Sequence, residues 1–289
     1  MNNMKNKCIL SDNNGIITSD YGFTYVMLSD LLQSGKYQDY IKDGDWIELT
    51  LANGDYFKLY ANIDTYYGEG PDDAHKIGHH IDFISKDLIP GSAGHNGLYN
   101  SEEKSWRMRD DTLHPFGTNN GSKSEESPFL ASSKKYKKDG NLIDKLDDYY
   151  TKLPDGLKFF IVKKYHKVPI RRKLFSNSRS RRLTEDTGTK WEDMGYLWLP
   201  YEKEVHGSNT HANSTYESHM KQYHSFANIT DFKLKSDVKY DANSHRDWWV
   251  ASAHSGSQYG FCSVSTCGGA SHHYTYNWYL GAPLCFRFQ

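Results

Sequence analysis

The sequence lacks the features that mark several large classes of protein. No stretch of its 289 residues approaches the ~18 consecutive apolar residues of a membrane-spanning helix. Its cysteines, Cys8, Cys262, Cys267 and Cys285, are too few for a disulfide scaffold, which indicates free thiols in a reducing compartment. With a net charge of −1, the chain as a whole has no excess of positive charge that would favour binding to nucleic acid or to a membrane surface. We therefore expect no membrane partner.

The beginning of the chain also lacks a secretory signal. No basic region followed by an apolar run and a small-residue cleavage site occurs there. We expect the protein to be made in a cytoplasm and to leave it only inside an assembly.

The sequence is rich in aromatic residues. Only 37% of the residues are hydrophobic but 15% are aromatic, so rings rather than aliphatic chains supply the apolar area of the core. At ~150 residues per domain, the length predicts one large domain or two small ones. Because rings are abundant, we expect a folded rather than a disordered chain.

The N-terminal part divides into two patterns. Residues 1–45 are predicted to form an N-terminal attachment segment that contains a short helix within residues 19–33, with Gly35 in the position of a helix C-terminal cap. From Trp46 the apolar residues alternate with polar ones on both sides of Asn53 and Gly54. This pattern predicts a β-hairpin over residues 46–61 with a primed turn.

The remaining elements are predicted to be short. Residues 64–127 are predicted to form loops with one strand at residues 80–85. Residues 127–150 are predicted to form a helix in two pieces. Residues 157–165 are predicted to form a short helix that runs into a strand, which Pro169 closes. Short aromatic clusters separated by polar loops follow from residue 184. We predict an α+β fold with small twisted antiparallel sheets, about two helices and long loops. The hairpin and the last strand should share one domain, because a two-stranded ribbon alone is marginally stable.

Several motifs of the second half occur together in a known family. They are residues 191–200 with Glu202, Glu204, Val205 and Gly207, then Trp248-Trp249 with Ala251-Ser252, and finally residues 281–288. They resemble a family of uncharacterised domains that is common in phages and prophages of Firmicutes, and the resemblance extends over about residues 42–289. Ala282 departs from the family pattern, in which Arg or Val is frequent, so any salt bridge from that position is missing here.

The resemblance implies a fold and a binding surface. The family is similar in layout to the C-type-lectin-like fold of formylglycine-generating enzymes and of phage tropism determinants. A C-type-lectin-like domain over residues 46–289 is therefore expected to follow the N-terminal segment. Similar proteins bind ligands with residues that lie between two strands, which correspond here to the strand at Trp248-Trp249 and the closing strand at residues 281–288. The corresponding residues here are His254, Ser255, Gln258, Tyr259, His272, His273, Tyr274, Tyr276, Asn277 and Trp278.

The composition of that region is consistent with a binding face. Residues 252–279 hold five Tyr or Trp, three His, six Ser and four Gly, the mixture of rigid rings and adaptable small residues found in paratopes. The alternative is that Tyr-rich loops merely cover a ring-rich core. The sequence leaves both interpretations open.

Metal binding and catalysis have weak sequence support. Cys262, Cys267, His272 and His273 could together form a zinc site, but their spacing is not that of a zinc knuckle. The pair Cys262 and Cys267 could alternatively form a copper site of the kind used by oxidases. The histidines and aspartates of residues 72–82 lie in a Gly-rich stretch of the kind that is usually solvated. No nucleophile elbow, metalloprotease helix, phosphate loop or dinucleotide-binding glycine run is present. We expect no enzymatic activity, no metal and no cofactor.

One segment is strongly basic. Residues 134–182 contain 16 Lys or Arg and five Asp. The proposed contact patch consists of Arg171, Arg172, Lys173, Arg179, Arg181 and Arg182. It could contact an acidic neighbour, including another copy of this chain, or grip phosphates through counterion release, or be a solvated loop. Nucleic acid is the least favoured of the three.

These expectations combine into a non-enzymatic structural component of a phage or phage-like virion, made in the cytoplasm of the host bacterium. The N-terminal segment would bind other virion proteins, the chain would form a homo-oligomer, and the lectin-like domain would attach to a host-surface protein or glycan. The alternative is an architectural decoration protein of the capsid, neck, tail or baseplate without a receptor-binding role.

Overall fold

A computed structural model describes residues 7–10, 24–89, 142–174, 183–228, 239–241, 244–245, 247–255, 260–274 and 280–289. The described chain is a mixed α+β structure, as predicted. Its elements in chain order are β1 (Cys8–Leu10), α1 (Tyr25–Gln33), β2 (Trp46–Thr50), β3 (Tyr56–Ile63), β4 (Ile81–Leu88), α2 (Leu142–Lys152), α3 (Asp155–Lys158), β5 (Ile161–Val162), β6 (Tyr165–Leu174), β7 (Leu183–Asp193), α4 (Glu202–His206), α5 (His224–Asn228), β8 (Lys239–Asp241), β9 (Ser244–His245), β10 (Trp248–Ala253), β11 (Gly260–Val264), β12 (Ala270–Tyr274) and β13 (Pro283–Phe288).

The largest sheet joins the two ends of the chain. Its strand order is β1-β2-β3-β4-β13-β5, so the predicted hairpin and the closing strand lie in one sheet, which confirms that they share a domain. The β1–β2 pair is parallel, whereas the other pairs of this sheet are antiparallel. A separate antiparallel sheet has the order β10-β11-β12, and two ribbons, β6-β7 and β8-β9, complete the described strands.

The expected helix of the N-terminal segment is present as α1. The Thr24 side chain caps its first turn by accepting a hydrogen bond from the Met27 N–H, and Gly35, with φ 68°, ends it as predicted. The Tyr25 ring lies 6.4 Å from Phe160 and packs into the same core as the sheet. The boundary placed at residue 45 therefore does not separate two cores among the described residues.

The hairpin forms where the alternation predicts it, but the primed turn is wrong. Thr50 pairs with Tyr56, and the Leu51 N–H donates to the Asp55 carbonyl at 2.8 Å. The loop thus has one residue more than a primed turn allows, and only Gly54, with φ 88°, is left-handed.

Two further details of the predicted elements need correction. Pro169 does not close a strand but lies within β6 opposite Thr189, next to a bulge at Ile170 and Arg171. A two-stranded ribbon tolerates proline because each strand has one unpaired edge. The described residues also contain five α-helices rather than about two, although only α1 and α2 exceed five residues.

Tryptophan rings form the centre of the core. Trp198, Trp248 and Trp249 are at most 2% exposed, which confirms the expectation that most of them are buried. The Trp248 ring stacks on Phe226 at 6.1 Å, and Trp198 stacks on Tyr223 at 6.0 Å. This ring-filled core supports the sheet β10-β11-β12, which carries part of the predicted binding face.

Candidate functional site

The structure places part of the predicted binding face on one sheet. His254 and Ser255 directly follow β10, and His272 and His273 lie on β12. Tyr274 ends β12 opposite Gly260. The other predicted face residues, Gln258, Tyr259, Tyr276, Asn277 and Trp278, lie outside the described residues.

The two neighbouring histidines of β12 have different surroundings. Successive side chains of a strand point to opposite faces of its sheet. His273 lies edge-on to Trp249 at 6.4 Å, and its Nε2 is 2.8 Å from an Asp247 carboxylate oxygen. His272 instead contacts two other histidine rings. The two side chains therefore point to opposite faces of the sheet, and only His272 lies beside His254.

Three imidazoles converge on the His272 side of the sheet. The ring centroid of His272 lies 4.2 Å from that of His254 and 4.6 Å from that of His211, and the last two are 5.8 Å apart. One nitrogen of each ring can be chosen so that all three lie within 4.8 Å of one another. His272 is exposed and the other two are half-buried, so the cluster opens to solvent.

A buried carboxylate fixes the loop that carries His211. Glu202 is fully buried, and its oxygens accept hydrogen bonds from the backbone N–H groups of Thr210, His211 and Ala212 at 3.1, 3.1 and 2.8 Å. The Ser255 N–H donates to the His211 carbonyl at 2.9 Å. The backbone of His211 is thus tied both to α4 and to the segment that carries His254.

Local sequence explains why this loop turns back to the sheet. Gly207 ends α4 after one turn with a left-handed backbone conformation of φ 75°. A residue with a side chain would be strained in this conformation. The Glu202 N–H, at the start of α4, donates to the Ser252 hydroxyl of β10 at 2.7 Å. The helix start and the loop after it are therefore both attached to β10.

The surroundings of His272 favour a neutral ring. Partial burial, followed by the neighbouring rings of His211 and His273, lowers the pKa of His272 below its ordinary value. A neutral imidazole has one nitrogen lone pair, which can bind a metal ion or accept a hydrogen bond. The cluster can therefore act either as a ligand-contacting surface or as a set of metal ligands.

The cysteines do not contribute to this cluster. Cys262 is buried in β11 and Cys267 is exposed in the turn after it, and no disulfide joins any of the cysteines, as expected. Within the part of the chain that the structure describes, the histidine trio is the one group of His, Cys, Asp and Glu residues with metal-ligand spacing. The Cys-His zinc pattern considered in the sequence is thus replaced by a trio that includes His272 and omits both cysteines.

The polar stretch of residues 72–82 divides into two environments. Asp72 and His75 form an exposed pair at 2.6 Å, as expected for a solvated loop. His80 and Asp82, in contrast, are fully buried at the start of β4, so a solvated position was wrong for them. The difference arises because β4 is an interior strand of the large sheet.

The buried Asp82 belongs to a network of titratable side chains in the core. The Lys164 ammonium donates to Glu204 and to the Tyr223 hydroxyl, each at 2.9 Å. Tyr223 in turn donates to Asp82 at 2.9 Å, and Tyr66 donates to Glu204 at 2.6 Å. All five side chains are fully buried, so this network stabilises the contact between the sheet and α4 and is closed to ligands.

The predicted basic patch is only partly described. Arg171, Arg172 and Lys173 lie on β6, where the register places Arg171 opposite Asp186 and Arg172 opposite Glu185. Arg179, Arg181 and Arg182 lie outside the described residues.

Comparison of the chain with protein-family models, with curated proteins and with solved structures finds no match in any of the three. Among the described residues, none of the helices combines the length and the apolar character that a membrane crossing requires.

Proposed function

We propose that this protein is a non-enzymatic structural component of a phage or phage-like virion, and that its C-type-lectin-like domain recognises a host-surface protein or glycan. One structural observation supports the binding role. Side chains from three separate segments, His211, His254 and His272, meet at an open surface of the β10-β11-β12 sheet. We give the name histidine-tyrosine face to this surface with Ser255, together with the tyrosines that the sequence alone predicts for binding, Tyr259, Tyr274 and Tyr276.

The scaffold behind this face suits recognition. Trp248 and Trp249 of β10 are buried, and Ser252 holds the start of α4 against the same strand. Binding residues on loops and strand ends are most selective where a rigid scaffold positions them. Rings of Tyr and His add contact area at low cost in conformational entropy.

The experiment tests the face in assembled particles. Tyr259→Ala, Tyr274→Ala and Tyr276→Ala are combined in one chain, and the matched control is Tyr56→Ala, whose ring is 53% exposed elsewhere. We expect the triple variant to fold and to enter particles that no longer attach to host cells, because truncation of interface hot-spot rings typically costs ~2 kcal/mol or more of binding. Normal attachment by these particles would refute the recognition role.

A second function has one observation in its favour. Val26 and Met27 of α1 are 56% and 46% exposed, and Phe159 is 85% exposed beside Phe160. Exposed apolar side chains of this kind are typical of protein contact surfaces. They favour the architectural alternative, a decoration protein of the capsid, neck, tail or baseplate.

The two functions respond differently to the same variants. If the protein is architectural, Val26→Ser with Phe159→Ser should abolish incorporation into particles while the purified chain remains folded. If the protein recognises the host, the tyrosine triple variant should lose attachment without losing incorporation. Loss of incorporation by the tyrosine variant would instead make its face an assembly contact.

A further inference from the structure

We propose that His211, His254 and His272 form a binding site for one divalent transition-metal ion of the zinc class. The three residues come from the loop after α4, from the end of β10 and from β12, so a bound ion would join three segments that are distant in sequence.

The spacing of the three rings suits a single ion. Zinc binds imidazole nitrogen at ~2.0–2.1 Å, which places the nitrogens of a tetrahedral site about 3.3 Å apart. The chosen nitrogens lie within 4.8 Å of one another. Rotation of the rings about their side-chain torsions would have to close the remaining difference of up to about 1.5 Å.

The backbone beneath the rings is already fixed. Glu202 and Ser255 hold the main chain of His211 from both sides. His272 lies within the paired register of β12, opposite Cys262 of β11. A site whose ligands are positioned before binding loses less entropy when the ion enters.

The donor set selects the class of metal. Three imidazole nitrogens suit Zn²⁺, Co²⁺, Ni²⁺ and Cu²⁺, whereas Ca²⁺ and Mg²⁺ require oxygen ligands. The trio that meets the spacing contains no carboxylate. The cluster should therefore discriminate against the alkaline-earth ions.

The open side of the cluster leaves room for a further ligand. Because His272 is exposed, the fourth position of a tetrahedral ion would face solvent. Water or a donor atom of a molecule bound to the histidine-tyrosine face can occupy it. Metal binding itself is a property of the purified chain and requires no host partner.

The test is zinc titration of the purified full chain after treatment with a chelator. Calorimetry gives the affinity, and elemental analysis after desalting gives the zinc content. We expect one zinc ion per chain and a Zn²⁺-dependent rise in melting temperature that Ca²⁺ and Mg²⁺ do not produce. A wild-type chain that binds no zinc overturns the proposal.

Variants locate the site. His211→Ala and His272→Ala should each weaken zinc binding by at least ~10-fold, a loss that even outer-shell substitutions cause. The matched control is His75→Ala, because His75 is an exposed histidine that pairs with Asp72 away from the cluster. Unchanged affinity in both histidine variants would show that zinc binds elsewhere and would overturn the proposal.

A spectroscopic measurement covers the case in which a variant loses its fold. Wild-type protein titrated with Co²⁺ should show the intense visible absorption of a tetrahedral site with nitrogen ligands, and addition of Zn²⁺ should abolish it. The weak spectrum of octahedral aqueous Co²⁺ throughout the titration would contradict a three-histidine site.

Discussion

Arg287 and Asp82 form a doubly hydrogen-bonded ion pair inside the core. The Arg287 Nε donates to one carboxylate oxygen at 2.7 Å, and a terminal nitrogen donates to the other at 2.8 Å. The two residues are also paired in the register of β13 and β4. Burial raises the pKa of Asp82, but the charge and hydrogen bonds of Arg287, together with the charges of His80 and Lys164, outweigh burial and hold this pKa below its ordinary value. The pair thereby fixes the closing strand to the strand that follows the hairpin.

Removal of one member of this pair should strongly destabilise the protein. Asp82→Asn or Arg287→Met leaves an uncompensated buried charge, which typically costs ~3–5 kcal/mol. Lys163→Met is the control, because Lys163 pairs with Asp193 at the exposed surface, where ion pairs contribute ~0–1 kcal/mol. Urea unfolding measures the three variants. Equal stability of the buried and exposed variants would contradict the role given to this pair.

The buried His80 should make stability depend on pH. Burial, followed by the charge of Arg287, lowers the pKa of His80 from 6.5 to about 4, although Asp82 and Asp64 act in the opposite direction. The unfolded chain therefore takes up a proton near pH 6.5 that the folded chain refuses until about pH 4. The free energy of unfolding should fall across this window as the pH decreases, by on the order of 3 kcal/mol from this residue.

Comparison with His80→Gln isolates the effect. Other titrating groups are shared by both chains and cancel in the difference between their stability curves. The wild-type curve should fall more steeply than that of the variant between pH 6.5 and pH 4. Parallel curves would show that His80 does not titrate differently in the two states.

The tryptophan core gives a prediction with a matched control. Trp198→Ala and Trp248→Ala should each cost ~3–5 kcal/mol, because each leaves a cavity that the surrounding rings cannot fill. Phe159→Ala removes a ring that is 85% exposed and should change stability by less than ~1 kcal/mol. Thermal melts of the three variants measure these costs. If the tryptophan variants have the same melting temperature as the wild type, the assignment of these residues to the core is wrong.

The basic segment should not bind DNA tightly at physiological salt. The chain as a whole carries a net charge of −1, and nucleic acid is the least favoured of the three interpretations that the sequence leaves open for this segment. Fluorescence anisotropy with duplex DNA at several salt concentrations tests this. Tight binding would support a nucleic-acid partner instead, provided that each substitution of Arg171, Arg172, Arg181 or Arg182 makes the log–log salt slope shallower by ~0.9, the value for one phosphate.

Elements with a local signal could be predicted from the sequence. The alternation on both sides of Gly54 predicted the hairpin, and the apolar spacing before Gly35 predicted α1. The primed turn was wrong because the loop length depends on where strand pairing stops, at Thr50 and Tyr56. Pro169 was misplaced because a local rule does not show which strand edge lacks a partner.

The histidine cluster depended on contacts that no local pattern contains. His254 and His272 were predicted on the binding face, but His211 was missed, since it lies in a polar loop in another part of the chain. The nearest signal was Gly207, which ends a helix and turns the chain back. Convergence of the trio then requires Glu202 to anchor that loop beside β10, a long-range arrangement that spacing does not reveal.

The central claim is that the histidine-tyrosine face recognises the host surface, and direct binding of the purified chain to host cells tests it. Fluorescently labelled wild-type protein should bind the cells saturably and should compete with particles for adsorption. The variant that combines Tyr259→Ala, Tyr274→Ala and Tyr276→Ala should do neither, whereas Tyr56→Ala should behave as the wild type. A folded wild-type chain that does not bind host cells and does not reduce particle adsorption would contradict the claim.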